Sequence, residues 1–235
     1  MAGLKRSNDR KVTNLATPNG KRSAIANTFG LPSGKNYSCP GATSVCEKIC
    51  YAGKLEKMYP SVREVLLHNW NMLKDADLET MANLLDDMVA SFRLECKAKD
   101  VEMLFRIHWD GDFFSDTYAK AWRAVIMLNP DIKFWVYTRV PSAVEILRDL
   151  PNLSLYFSTD SENKHITPKG VKLAYLADTF ADAKSAMLEA TGKPGASCPE
   201  QLKRIPLISE KGGACAVCRL CVDGKSDIRF SISKR

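Results

Sequence analysis

The sequence predicts an α/β fold, a partial parallel (β/α) barrel of about six strands carrying a cysteine-rich C-terminal segment. Three observations predict it. Apolar, β-branched and aromatic runs recur at intervals of roughly 20 to 30 residues with helix-like stretches between most of them, as parallel crossovers require. Polar residues collect at the C-terminal ends of those runs, where a parallel barrel assembles its functional face. Seven of the eight cysteines fall into two sets, one after the first strand and one near the end of the chain.

Each element follows in order. AIANTFGLPSG (24–34) is the first strand, running into the cysteine loop SCPGATSVCEKICYAGK (38–54). Val62, Val65, Leu66, Asn69 and Leu73 recur at helical spacing, and Met81, Leu84, Leu85, Met88, Val89 and Phe92 mark a second helix. LFRIHW (104–109) is a buried strand, and Ser115 caps a helix bearing the stripe Tyr118, Ala121, Trp122, Val125 and Ile126. KFWVYT (133–138) is the next strand, after which Pro141 and a Ser142–Glu145 capping box start a helix. LSLYFS (153–158) and VKLAYL (171–176) are strands, and Asp178 opens a helix that Gly192 closes. RIPLIS (204–209) is a short strand and IRFSIS (228–233) the last.

A chain of 235 residues with 45% apolar content can bury one large core. The expected organisation is a single domain over 1–235, with a basic segment at 1–22, the barrel body at 23–195 and the cysteine-rich segment at 196–235. No run approaches the roughly 18 to 20 apolar residues of a membrane span, and MAGLKRSNDRKVTN has no apolar signal core. A soluble, cytoplasmic protein is expected. Of the net charge of +7, residues 1–25 carry +5, residues 203–235 carry +5 and the remainder −3. Basic ends of this kind can neutralise phosphates of DNA or RNA, and equally serve as solubilising surface.

In a reducing compartment disulfides rarely persist, so clustered cysteines point to metal rather than cross-links. Buried thiols can also fill a core, but the C-x2-C-x2-C run in a polar, Gly-bounded loop is poor filling. Cys198, Cys215, Cys218 and Cys221 supply four soft ligands, suited to tetrahedral zinc or an iron–sulfur cluster. Three cysteines at x2 intervals plus a remote one favour the cluster over paired zinc knuckles. Cys39, Cys46 and Cys50 form the second set. The seven divide into two centres, three plus four, or one centre draws from both sets, while Cys96 is a packing residue.

The remaining candidates are polar residues at strand ends. His108, Asp110 and Asp112 could form a hard-metal or acid–base constellation, or an ordinary Asp/Gly turn. Arg139 could hold an anion or pair with an aspartate. Ser158 and Asp160 close the next strand. Trp109, Phe113, Phe114, Trp122 and Trp135 could stack bases, although strand and helix spacing more often means core.

A first strand followed by a three-cysteine loop ending in Cys50-Tyr51-Ala52 resembles the radical S-adenosylmethionine superfamily. The ordered set SCPGATSVCEKICYAGK, HWDGDFFS, FWVYTR and CAVCRLC followed by IRFSIS resembles, more closely, the bacteriophage gene product 88 family, across most of 24–233. The superfamily resemblance implies a TIM-barrel-type body and a [4Fe-4S] cluster on three thiolates, with one iron open to S-adenosylmethionine. The chain departs from that superfamily's C-x3-C-x2-C spacing, having x6 and x3 instead. Asp110-Gly111-Asp112 also stands where a Gly-Gly-Glu-like turn would hold the cofactor's amino group, with Asp112 the substitute for the glutamate. The function expected from these readings is a phage-type iron–sulfur protein of the host cytoplasm, non-catalytic or redox-sensing, with one or two [4Fe-4S] clusters and nucleic acid as a partner. The alternatives are a radical S-adenosylmethionine enzyme of unknown substrate and a zinc-stabilised nucleic-acid-binding protein.

Overall fold

The computed structural model describes residues 3–13, 15–16 and 23–233. Two antiparallel ribbons lie outside the main sheet, β1 (Leu15–Ala16) with β2 (Ser23–Ala24) and β9 (Ile208–Ser209) with β10 (Gly212–Gly213). The main sheet contains β3 (Thr28–Gly30), β4 (Leu104–Asp110), β5 (Lys133–Thr138), β6 (Leu153–Thr159), β7 (Lys172–Ala177), β8 (Ala196–Ser197) and β11 (Ile228–Ser231). Its spatial order is β3-β4-β5-β6-β7-β11-β8, and every neighbouring pair is parallel. Seven strands therefore replace the expected six, and among the described residues the sheet is open, with β3 and β8 at its edges.

Strand alternation gives the sheet two apolar faces. Phe105, Ile107, Phe134 and Val136 point to one, where α4 (Leu78–Ala98), α5 (Asp116–Leu128) and α6 (Pro141–Leu147) bury Phe92, Trp122 and Leu147 against them. Phe157, Leu173 and Tyr175 continue that face under Ala183 and Met187 of α7 (Phe180–Thr191). Leu104, Trp135, Tyr156, Ala174 and Ile228 point the other way. They are covered by Val12 and by the C-terminal segment, through Cys215, Leu220, Cys221 and Val222.

Residues 3–13 are a packed strap. The Cys215 N–H donates to Lys11 O at 2.7 Å, the Gly213 N–H to Thr13 O at 3.0 Å, and Ser7 forms a bridge with Thr28 of β3. Gly213 lies so close that an added Cβ would meet Lys11 O at 2.7 Å and Arg10 O closer still.

The cysteine loop holds more helix than expected: α1 (Ser44–Ile49) and α2 (Tyr51–Met58) precede α3 (Pro60–Leu73). At α6 the Ser142–Glu145 box is not formed: Val140 is the N-cap and Pro141, its φ already helical, starts the helix without a side-chain cap. Thr179 rather than Asp178 caps α7, in a reciprocal capping box with Asp182, and Gly192 closes it in the left-handed conformation at φ 71°. Most of 204–209 is turn, with only Ile208–Ser209 extended; α8 (Ala214–Cys218) follows β10. No helix among the described residues is long and apolar enough to cross a membrane.

Gly213→Ala is expected to destabilise the fold by about 1–3 kcal/mol through overpacking and to open residues 3–13 to protease. Melting curves and limited proteolysis read both effects, and an unchanged melting temperature would mean that the strap does not pack there.

Candidate functional site

The C-terminal cysteines are gathered by one tight turn. Cys215 and Cys218 stand on α8, and Arg219, in the left-handed region at φ 63°, reverses the chain so that Cys221 returns to the same cavity. Cys198 reaches it from beyond β8, its N–H donating to Arg229 O of β11. The free space among the four is about 20 Å³, room for about one water. Burial, joined by repulsion among the thiolates themselves, pushes Cys215 and Cys221 up to about 12, while the Arg106 guanidinium opposes the rise; Cys198 is raised mainly by burial. The neighbouring Tyr137 hydroxyl also opposes the rise at Cys221.

The N-terminal three line a separate and larger pocket of about 450 Å³, with Ser33, Lys48, Glu56 and Arg63 among its walls. Thr43 caps α1 by accepting from the Cys46 N–H at 3.1 Å. Cys50 sits between α1 and α2, its Sγ accepting from the Gly53 N–H at 3.3 Å. The Cys39 N–H donates to Gly34 O. Burial raises both Cys39 and Cys46, with Asp112 adding to each and Arg139 opposing the rise at Cys46.

Seven cysteines thus divide three and four between two pockets, while Cys96 is wholly buried in the apolar core. Among the described residues no group of three or more His, Cys, Asp or Glu side chains stands at the spacing that would hold a metal ion. The donor set of the C-terminal pocket fits a thiophilic group: four thiols face it, and the carboxylate at its wall, Glu200, is held by Lys11 at 2.9 Å. Loading it requires the four side chains to spread and to lose their protons.

The polar residues at the strand ends are largely occupied with one another. Asp112 Oδ1 accepts from Thr138 Oγ1 at 2.6 Å and the Phe113 N–H at 2.7 Å, and Oδ2 accepts from the Arg139 N–H at 2.8 Å. Gly111, at φ 84°, makes the turn possible, since a Cβ there would meet Ser38 Oγ at 2.5 Å. Arg139 Nη1 donates to Asp160 Oδ2 at 2.7 Å, and Thr43 Oγ1 donates to the same oxygen at 2.6 Å, tying α1 to β6. Burial alone would raise Asp160, but the bonds from Thr43, the Glu162 N–H and Arg139 hold it below the usual carboxylate range. His108, at φ 60°, turns into the helix layer, its Nε2 2.8 Å from Tyr118 Oη, and burial then Arg106 push it down to about 3, so it is neutral. Ser158 is half-buried in β6, its carbonyl accepting from Asn163 Nδ2.

Asp110 differs from these. It is 3% exposed and its Oδ2 has no donor within reach. Burial and the facing Glu56 carboxyl raise it to about 9, so a proton on Asp110 satisfies both groups. Glu56 Oε1 also accepts from the Ser33 N–H at 2.9 Å and Ser33 Oγ at 2.5 Å.

Two residues that sequence reasoning passed over matter here, Glu56 and Arg106. Glu56 carries no local signal, because it stands on α2 while its partner lies at the end of β4. Arg106 does: a cation at the centre of a strand that is apolar on both sides asks for a buried partner, and that partner is Asp9, 3.2 Å away. Several terminal charges are likewise paired internally, Arg6 with Glu95, Lys11 with Glu200, Arg219 with Glu102 and Asp223, and Lys225 with Asp223. Lys21, Arg22, Lys234 and Arg235 lie outside the described residues.

Asp160→Ala strands the Arg139 charge and is expected to cost about 3–5 kcal/mol, with loss of order in α1; calorimetry and amide exchange at Thr43–Cys46 measure it. Asp110 keeps its proton when folded up to about pH 9 but loses it near pH 3.8 when unfolded, so its contribution to stability falls as pH rises between those values. The melting-temperature advantage of Asp110→Asn over wild type should therefore be nil near pH 4 and grow toward pH 9. A difference independent of pH would refute the shared proton.

Comparison with known proteins adds a lineage. A family model described as Gene product 88 matches residues 2–224. The Gene 88 protein of Mycobacterium phage L5 is 51% identical over 244 residues, and that of Mycobacterium phage D29 is 49% identical over 245, each covering 100% of both chains. No solved structure matches. With a family model spanning nearly the whole chain and relatives aligned end to end, the chain belongs to the Gene product 88 family of phage proteins.

Proposed function

We propose that this chain is a phage iron–sulfur protein, with Cys198, Cys215, Cys218 and Cys221 holding one [4Fe-4S] cluster and Cys39, Cys46 and Cys50 a second. One observation carries the reading: seven cysteines from separate stretches converge on two pockets, while the eighth is packed in the core. A bound cluster would supply one-electron redox chemistry. The protein's own part is to provide sulfur donors, to exclude competing ligands by pairing Glu200 with Lys11, and to anchor the cysteine helices to the sheet through Thr43, Asp160 and Arg139. We also infer a partial (β/α) barrel of TIM-barrel type. Support comes from the sequential order β3 to β7 and from the long helices α4 to α7 on one face, with the strap and the segment containing α8 filling the other.

Anaerobically purified protein is expected to be brown and to contain iron and acid-labile sulfide. Cys215→Ala should lose the share of iron belonging to one cluster, and Cys96→Ala none. Colourless protein with stoichiometric zinc would replace the reading with a zinc-stabilised fold.

A radical S-adenosylmethionine enzyme is the second reading, favoured by the size of the pocket beside the three N-terminal thiols. Against it stand the x6 and x3 spacing and the use of both Asp112 oxygens within the protein. Dithionite-reduced protein is expected to leave S-adenosylmethionine intact; 5′-deoxyadenosine formation abolished by Cys50→Ala would put the enzyme first. Nucleic-acid binding has the weaker support, since the paired terminal cations are already neutralised. Its signature would be oligonucleotide binding that weakens steeply with salt.

A further inference from the structure

Arg106 puts a largely buried cation on the face of β4 that the strap covers. Its neighbours on that face are apolar: Leu104, two residues before it, packs with Trp135, Val222, Cys215 and Cys221. The side chain is 14% exposed and its guanidinium lies 5.7 Å from the centre of the Tyr137 ring, which packs with Cys215 and Cys221 against one apolar cluster. Among the described residues its ion-pair partner is Asp9, reached by Nη1 at 3.2 Å; the Tyr51 hydroxyl also faces it, while Nε is buried with no acceptor. A core of this kind would be more stable with an apolar residue in place of a half-satisfied buried pair. The cation is kept beside two sulfurs, and its field is felt at both.

We propose that Arg106 is a positioning residue that compensates the charge of a cluster on the C-terminal cysteines and sets its reduction potential, with Asp9 of the N-terminal strap attenuating that effect. The inference rests on the iron–sulfur reading above. Reduction adds one electron and no proton to an already anionic, thiolate-ligated group, so a nearby fixed cation favours the reduced state and a nearby anion disfavours it. At close range in a partly buried site, one unit charge is worth more than a tenfold change in such an equilibrium. The strap thereby becomes part of the redox site, although it contributes no ligand.

The test is a mediated dithionite titration followed by paramagnetic resonance, with the full chain in a Cys46→Ala background that leaves the C-terminal set as the cluster-bearing one. Arg106→Met should lower the reduction equilibrium constant at least tenfold, a fall of about 59 mV or more for one electron. Arg106→Lys should restore most of it. Asp9→Asn keeps the shape and the oxygen that accepts from the Lys11 N–H but removes the charge, so it should move the potential in the opposite direction, upward. A structural role alone would not give shifts of opposite sign. If Arg106→Met fails to hold iron, the sign of the Asp9→Asn shift decides. An unchanged potential in Asp9→Asn, or a shift downward, overturns the inference, whereas absence of iron and sulfide from the unsubstituted chain overturns the iron–sulfur reading instead.

Discussion

A parallel sheet that is apolar on both faces needs two covering layers, and among the described residues long helices cover only one. The helices between β4 and β7 stack on Phe105, Phe134 and their neighbours, leaving Leu104, Trp135, Tyr156 and Ile228 to be shielded by something else. What shields them is the two ends of the polypeptide. The N-terminal strap and the segment after β8 lie together on the second face, joined by bonds from Gly213 and Cys215 to Thr13 and Lys11. The position of the C-terminal cysteines follows from this: Cys215 and Cys221 are part of the layer that keeps the sheet dry.

The N-terminal cysteines are fixed differently, by charge and hydrogen bonds. Thr43 at the start of α1 and Arg139 after β5 meet on one oxygen of Asp160, so the helix bearing Cys46 is tied to the ends of two strands. Asp112 meanwhile bonds Thr138 and the backbone of Arg139, tightening the same corner. Asp112 and Asp160 are therefore supports for the pocket, whereas Asp110 and Glu56 form a carboxyl pair that shares a proton.

Much of this was legible in the sequence, and the failures have physical causes. The strands at 104–110, 133–138 and 153–159 were readable because burial on both faces forces long apolar runs, and α5 because Ser115 precedes a 3.6-residue stripe. The cap of α7 was misplaced by one residue: Asp178 and Thr179 are both good caps, and the reciprocal bond to Asp182 selects Thr179. Helices α1 and α2 were hidden because Gly53, Ser44 and two cysteines dilute the helical pattern over a short span. That the cysteines line two separate pockets, three and four, depends on the turn at Arg219, which no local pattern marks. The strap was the largest omission. Its lysines and arginines have the composition of a free tail, and the acids that neutralise Arg6 and Lys11 stand at 95 and 200, where no local pattern connects them.

The pairing of the first residues with the last also dictates when the protein can finish folding on the ribosome. Helices and strands up to β7 can assemble as they emerge, since each pairs with the strand before it. The face under the strap cannot, because Val12 and Asp9 have already left the exit tunnel while Cys215 and Val222, which complete their surroundings, are made only after β7 and β8. Until those segments arrive, Trp135 and Tyr156 stay wet and the early cysteines wait beside an unfinished core. Such long sequence separation is slow to close, so the nascent chain has an interval in which its thiols are open to oxidants.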